Sequence, residues 1–116
     1  MTRNSDRRSV LAKRSKVLPE FDEDGFLSDP NQWSESVARF IASSDGVGEL
    51  TQDQWSIIWS MRAEYFKHDS PPVPRFVCHI NHMQKNCVSV LFDNNRREAW
   101  RIAGLPNPGE EAKAYL

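Results

Sequence analysis

One helix start in the middle of the chain constrains the fold more than any other feature. Thr51 and Gln54 have the spacing of a capping box, and Leu50 and Trp55 stand at the two positions of a hydrophobic staple. The helix that follows is expected to run to about Phe66. Its apolar residues spread too widely for a one-sided surface helix: Trp55, Ile58, Trp59, Met61, Tyr65 and Phe66. The pattern predicts a helix at the centre of the core.

Shorter helical patterns lie on both sides of this central helix. Asp29 can cap a helix that opens at Pro30 and buries one face, made of Trp33, Val37, Phe40 and Ile41. After the central helix, Pro71 and Pro72 open another, whose apolar face is Val73, Phe76, Val77 and Ile80. A short helix then holds Cys87, Val88, Val90 and Leu91. The last begins at Asn95, with Glu98 three residues on, and buries Ala99, Trp100, Ile102 and Ala103.

A tight turn precedes the helices, because Asp24-Gly25 lies between Phe21 and Phe26-Leu27. The sequence therefore predicts a mainly α domain of about five short helices with an N-terminal β-hairpin. Gly104 suits the position that closes the last helix, and Pro106 and Pro108 cannot continue it. We expect a leader at 1–19, a helical domain at 20–104 and a C-terminal arm at 105–116.

The formal charge of −1 conceals an uneven distribution. Residues 1–19 carry a net charge of +5 and the rest carries −6. A basic, Arg- and Ser-rich leader is typical of a solvated, disordered segment, and the alternative is capture of RNA, anionic lipid or an acidic partner. The longest apolar runs, such as 88–92, are far shorter than the roughly 20 residues of a membrane helix, so we expect no membrane partner.

The two cysteines, Cys78 and Cys87, make no disulfide framework, and a reducing cytoplasm is the expected location. Cys78 and His82 are four residues apart and could share a zinc ion on a continuous helix, but the spacing fits no zinc-finger pattern. We expect no metal and no other cofactor.

Residues 51–82 also have the arrangement helix, four-residue turn, helix that is found in DNA-binding proteins. The second helix offers four polar groups, on Arg75, His79, Asn81 and His82. The segment has few cations to neutralise phosphates, and the body is acidic. A nucleic-acid-binding regulator that uses 51–82 and the basic leader is the alternative function.

Six short motifs then occur in a recognisable order. They are Asp22-Glu-Asp-Gly-Phe-Leu27, Asp29-Pro with Trp33, Leu50-Thr with Trp55, Pro74-Arg75, Leu91-Phe92 and Ile102-Ala-Gly-Leu-Pro-Asn-Pro108. Between about Phe21 and Pro108 the chain resembles the DsrC/TusE family. The resemblance implies a small orthogonal helical bundle and a cytoplasmic role in sulfur relay.

Members of this family pass sulfur as a persulfide on a cysteine. The resemblance implies two kinds of partner: a sulfur relay that supplies a tRNA 2-thiouridine enzyme, or dissimilatory sulfite reductase. The carrier is a penultimate cysteine on the C-terminal arm, and in DsrC proper a second cysteine precedes it, with ten residues between the two. In this sequence the carrier position falls on Glu111 and the second on Trp100. A carboxylate cannot hold a persulfide, because the transfer needs a thiolate.

The resemblance also indicates where the arm or a partner docks. Arg75 matches a family arginine near the arm's docking groove, where it could pair with Glu110 or Glu111. His79 stands where many members have lysine, which predicts a less basic groove. The docking set is Arg75, His79, Gly104, Leu105, Pro106, Pro108 and Glu111. The leading interpretation is a partner-binding or regulatory relative without a carrier thiol. A carrier that uses Cys87 is a third possibility.

Overall fold

The computed structural model describes residues 19–110. Within them, five α-helices follow one 3-10 turn, so the predicted mainly helical fold is confirmed. The turn is Pro30–Gln32, and the helices are α1 (Glu35–Ser44), α2 (Gln52–His68), α3 (Pro74–Ile80), α4 (Cys87–Leu91) and α5 (Arg96–Ile102). The basic leader and Glu111 lie outside the described residues. In the part that is described, no helix is long and apolar enough to cross a membrane.

The predicted hairpin is present as a tight loop closed by a single antiparallel bridge between Phe21 and Leu27. The Gly25 amide donates to the Asp22 carbonyl oxygen at 2.9 Å, and Gly25 has a φ of 89°. Phe26 and Leu27 are buried. The loop therefore stays in place through these two side chains rather than through a ladder of strand hydrogen bonds.

The first helix begins later than predicted. Asp29 accepts a hydrogen bond from the Asn31 amide, as expected of a cap, but the turn that it caps ends at Gln32. Ser34 then caps α1, with its hydroxyl accepting from the Val37 amide at 3.2 Å. On this helix Phe40 is 65% exposed, so its assignment to the buried face was wrong.

The capping box of α2 is confirmed, because Thr51 and Gln54 exchange both hydrogen bonds. The helix buries Ile57, Ile58 and Met61. Trp59 and Phe66 are each 47% exposed, so their place in the predicted core was wrong. These aromatic rings lie in a surface stack instead: Trp59 meets Trp33 edge to face at 4.9 Å, and the Arg62 guanidinium lies over Trp33 and Phe66.

The buried sides of α3 and α4 also differ from the prediction. α3 buries Val77 and Cys78, while α4 buries Cys87 and Val88. Four residues assigned to buried faces are exposed: Val73, Phe76, Ile80 and Val90. A helix of two turns or fewer presents only a narrow face to the core, and here that face is the side that brings the two cysteines together.

The expectation that the cysteines are unpaired was wrong, since Cys78 and Cys87 form a disulfide. Their Cα atoms lie 5.8 Å apart, a separation typical of disulfides. Spacing along the sequence did not reveal this, because the pairing depends on the turn that folds α4 back onto α3. Cys78 is therefore not available as the zinc ligand considered above.

The last helix packs against α1, α2 and α4 and lies at the centre of these contacts. Asn95 caps it, with its side-chain oxygen accepting from the Glu98 amide at 3.1 Å, as predicted. The predicted buried set of Ala99, Trp100, Ile102 and Ala103 is confirmed. The arm that follows therefore starts from a helix with most of its residues buried.

Candidate functional site: the arm and the cationic groove

The arm leaves α5 through a tightly enclosed glycine. Gly104 has a φ of 68°, the left-handed conformation predicted for a helix end. A Cβ atom at this position would overlap the Trp33 ring, including Cγ at 2.7 Å. Gly104 is thus required both for its backbone conformation and for its lack of a side chain.

Two side chains satisfy the free carbonyl groups at the end of α5. The indole Nε1 of Trp33 donates to the Ile102 carbonyl oxygen at 2.8 Å, and Arg62 Nη1 donates to the Ala103 carbonyl oxygen at 2.9 Å. Arg62 Nη2 also donates to the Pro30 carbonyl oxygen at 3.1 Å. Such carbonyls have no partner within their own helix. The start of the arm is therefore fixed to α2 and to the turn before α1.

The next residues of the arm are anchored by α5 itself. Leu105 is fully buried, and its amide lies 3.4 Å from the Trp100 carbonyl oxygen. The Trp100 indole Nε1 donates to the Pro106 carbonyl oxygen at 3.1 Å, and Trp100 is only 2% exposed. Trp100 therefore fills the core and holds the arm at the same time.

Asn107 ties the arm to the hairpin loop. Its side-chain amide donates to Asp22 Oδ2 at 3.1 Å and to Asp24 Oδ2 at 3.0 Å. Asp22 Oδ1 accepts from the Asp24 and Phe26 amides, each at 2.9 Å. Burial acts to raise the pKa of Asp22, but its three hydrogen-bond donors outweigh that effect and hold the pKa below the usual value.

A groove of about 610 Å³ opens beside the arm. Arg75 at the start of α3, Lys85 in the α3–α4 turn and Arg96 at the start of α5 bring three cations to it. Its other lining residues are mostly apolar and include Val88, Trp100, Pro108 and the three prolines at 71, 72 and 74. None of the described residues that line it is acidic. The groove is therefore suited to an extended segment that carries carboxylates.

A second cluster lies on the opposite part of α5. Arg101 Nη1 pairs with Asp45 and also with Glu98, at 3.4 Å, while Arg101 Nε donates to the Gly25 carbonyl oxygen at 2.8 Å. Burial, together with the nearby Asp45, raises the pKa of Glu98 to about 7. The cluster connects α5 to the end of α1 and to the hairpin loop.

A family model described as DsrC like protein matches residues 14–110, which is most of the chain. The chain belongs to the DsrC family. A sulfurtransferase TusE homolog from Haemophilus influenzae is 29% identical over 99 residues, covering 78% of this chain and 90% of that protein.

Solved DsrC structures have the same fold. The oxidised gamma-subunit of the dissimilatory sulfite reductase (DsrC) from Archaeoglobus fulgidus is 32% identical, with a TM-score of 0.67 over 79% of this chain and 90% of that one. DsrC of Allochromatium vinosum is 30% identical, with a TM-score of 0.66 over 79% and 88%. The resemblance read from the motifs is therefore confirmed.

The structure locates most of the docking residues predicted for this DsrC-family chain. Arg75 and Pro108 line the groove, while Gly104, Leu105 and Pro106 form the anchored start of the arm. His79 is exposed and lies outside the groove lining, and Glu111 lies outside the described residues.

The predicted docking set did not include Lys85 and Arg96. No motif contained them, since they come from separate elements that meet only in the fold. Of the three cations that line the groove, the family resemblance indicated only Arg75.

The described residues do not add support for the metal site or for the nucleic-acid alternative. No group of three or more His, Cys, Asp or Glu among them could hold a metal ion. Asn81, one of the four polar groups considered for DNA, donates instead to the Ser60 hydroxyl at 2.9 Å and to the Val77 carbonyl oxygen at 2.8 Å. Its amide stabilises the contact between α2 and α3.

Proposed function

We propose that this chain is a cytoplasmic docking or regulatory member of the DsrC family that binds sulfur-relay or sulfite-reductase proteins without carrying sulfur on its arm. Family membership supports the sulfur-relay context. The claim that the arm carries no sulfur is supported by the absence of thiols at the two family cysteine positions, Glu111 and Trp100. The proposal also includes an indirect partner, a tRNA-modifying enzyme that such a relay supplies with sulfur.

The observation that carries the proposal is the role of Trp100. This residue stands at the second cysteine position and anchors the arm through Pro106 while it fills the core. Trp100 therefore has two structural roles of its own at this position, in addition to replacing a thiol. The carrier position is Glu111, whose carboxylate cannot attack or release a sulfane sulfur.

The groove supplies the docking surface in this proposal. Pro108 lies at its edge, and two acidic residues, Glu110 and Glu111, follow within three residues of it. Three residues span at most about 10 Å, which limits how far either carboxylate can lie from Pro108. The two carboxylates and the cationic groove are complementary in charge. A partner with an acidic segment would compete with the arm for Arg75, Lys85 and Arg96.

Co-purification from the native host tests the docking claim. The full chain is expected to retain a sulfur-relay protein or a sulfite-reductase subunit, and Arg75→Glu is expected to lose it. Lys67→Glu is the matched control, because Lys67 is an exposed cation on α2 that does not line the groove. Retention of such a partner by Arg75→Glu as well as by the unaltered chain would contradict docking through the groove.

A further inference from the structure

The disulfide joins two segments that line the groove. Cys78 follows Arg75 by one helical turn on α3, and Cys87 is the first residue of α4. The residues on both sides of Cys87 line the groove: Lys85, Asn86, Val88 and Ser89. The bond therefore holds the position of Lys85 relative to Arg75.

The two cysteines differ in their exposure as residues. Cys78 is fully buried, while Cys87 is 5% exposed. Cys87 also lines a separate surface cavity of about 180 Å³, together with Met83, Gln84, Asn86, Val90 and Leu91. A cavity of this size admits a low-molecular-weight thiol more readily than the active site of another protein. Attack on the disulfide from this cavity meets Cys87 first.

We propose that Cys78–Cys87 is a reversible exchange pair that a small thiol opens at Cys87, and that its redox state controls anion binding in the groove. The second half of this proposal rests on the docking function proposed above. The first half concerns the sulfur chemistry of this chain alone.

The exchange consumes two thiols for each disulfide. A thiolate attacks Cys87 Sγ, forms a mixed disulfide there and breaks the bond to Cys78, which leaves as a thiolate. A second thiolate attacks the sulfur of the bound small thiol and releases Cys87 as a thiolate and the small molecule as its disulfide. The two cysteines are reduced by two electrons and take up two protons, and the two small thiols are oxidised.

Opening the bond frees the turn that carries Lys85. Residues 79–86 are then no longer closed into a loop by a covalent link, so they regain conformational freedom. Three cations whose spacing is fixed in advance bind an extended anion more tightly than mobile ones, because binding then orders fewer residues. The reduced protein is therefore expected to bind acidic segments more weakly than the oxidised one.

Matched single variants test the exchange step. With oxidised glutathione as the probe, Cys78→Ser is expected to form a mixed disulfide at Cys87 at least about tenfold faster than Cys87→Ser forms one at Cys78, following the difference in access. Equal rates, or a faster reaction at Cys78, would overturn the proposal. The unaltered protein gives a second test: reduced glutathione should open the bond faster than global unfolding occurs, and opening only at the unfolding rate would show a structural bond.

Binding of a fluorescent hexaglutamate peptide tests control of the groove. The oxidised protein is expected to bind it about tenfold more tightly than the reduced protein, a coupling in the usual range. Equal binding in both states overturns redox control. If neither state binds the peptide, the groove is not a docking surface and the proposed docking function is overturned. The exchange step is still decided separately, by the mixed-disulfide measurement at Cys87.

Discussion

The indole Nε1 of Trp100 donates a hydrogen bond to the carbonyl oxygen of Pro106 across 3.1 Å, and this contact joins the core to the arm. Trp100→Phe keeps most of the ring and removes the donor. We expect a loss of about 1–2 kcal/mol in the free energy of unfolding, because the partly buried Pro106 carbonyl loses its partner. Hydrogen exchange at the Leu105 amide should increase as the arm loosens.

The matched control for that change is Trp59→Phe, since Trp59 is 47% exposed. It should change the free energy of unfolding by less than about 0.5 kcal/mol. Urea denaturation of both variants measures the difference. Similar losses in the two would show that the Pro106 contact contributes nothing specific.

Gly104→Ala tests the tight passage where the arm begins. The new methyl group would overlap the Trp33 ring and stand on a backbone with a φ of 68°. The combined overpacking and backbone strain are expected to cost about 2–5 kcal/mol. Gly48→Ala separates the two causes, because Gly48 has a φ of 84° and no atom within 4 Å of the added methyl group. It should cost only about 1–2 kcal/mol.

The attachment of the arm to the hairpin loop should depend on acid pH. The pKa of Asp22 is lower in the folded chain than its ordinary value of 3.8. Its contribution to stability is therefore fully present above that ordinary value and is lost as the pH falls through the lower folded pKa. The Asn107 side-chain amide resonances should shift over this acidic range. In Asp22→Asn the part of the shift that comes from Asp22 should be lost, and an unchanged titration there would assign it to another group.

Glu98 should produce a stability change near neutral pH with the opposite sign. Its pKa rises from 4.5 to about 7 on folding. The stabilising effect of its bound proton is complete below the unfolded value of 4.5 and is lost as the pH rises through about 7. We expect the free energy of unfolding to fall by about 2–3 kcal/mol across this window.

Glu98→Gln keeps the shape of the side chain and removes its titration. Denaturation at intervals from acid to neutral pH should show a slope in the unaltered chain and a flatter profile in the variant. The same slope in both proteins would assign the responsible proton to a group other than Glu98.

Local signals in the sequence predicted the parts of the fold that depend on neighbouring residues. The Thr51 capping box, the Asn95 cap and the left-handed Gly104 all match, because each is decided within one turn of helix. The buried faces of short helices were harder to predict. Phe76 and Val90 fit a helical apolar pattern and are nevertheless exposed, since two-turn helices choose their buried side by tertiary packing.

The candidate site was also predicted only in part from the sequence. The order of the motifs identified the arm and Arg75, but Lys85, Arg96 and the Cys78–Cys87 pairing arise only when distant elements meet. The hydrogen bonds of Asn107 to the hairpin loop span more than eighty residues of sequence. The spacing of residues in a single sequence does not predict contacts over that separation.

Sulfur loading tests the central claim most directly. The full chain, with the Cys78–Cys87 disulfide intact, is treated with less than one equivalent of a persulfide donor. Its mass is then measured by mass spectrometry of the intact protein. Glu111→Cys is the matched variant, because it restores a thiol at the family carrier position. We predict no added sulfur on the unaltered chain and one added sulfur atom on the arm of Glu111→Cys. An added sulfur atom on the unaltered chain, mapped to Cys78 or Cys87, would contradict the account and identify the core pair as the carrier.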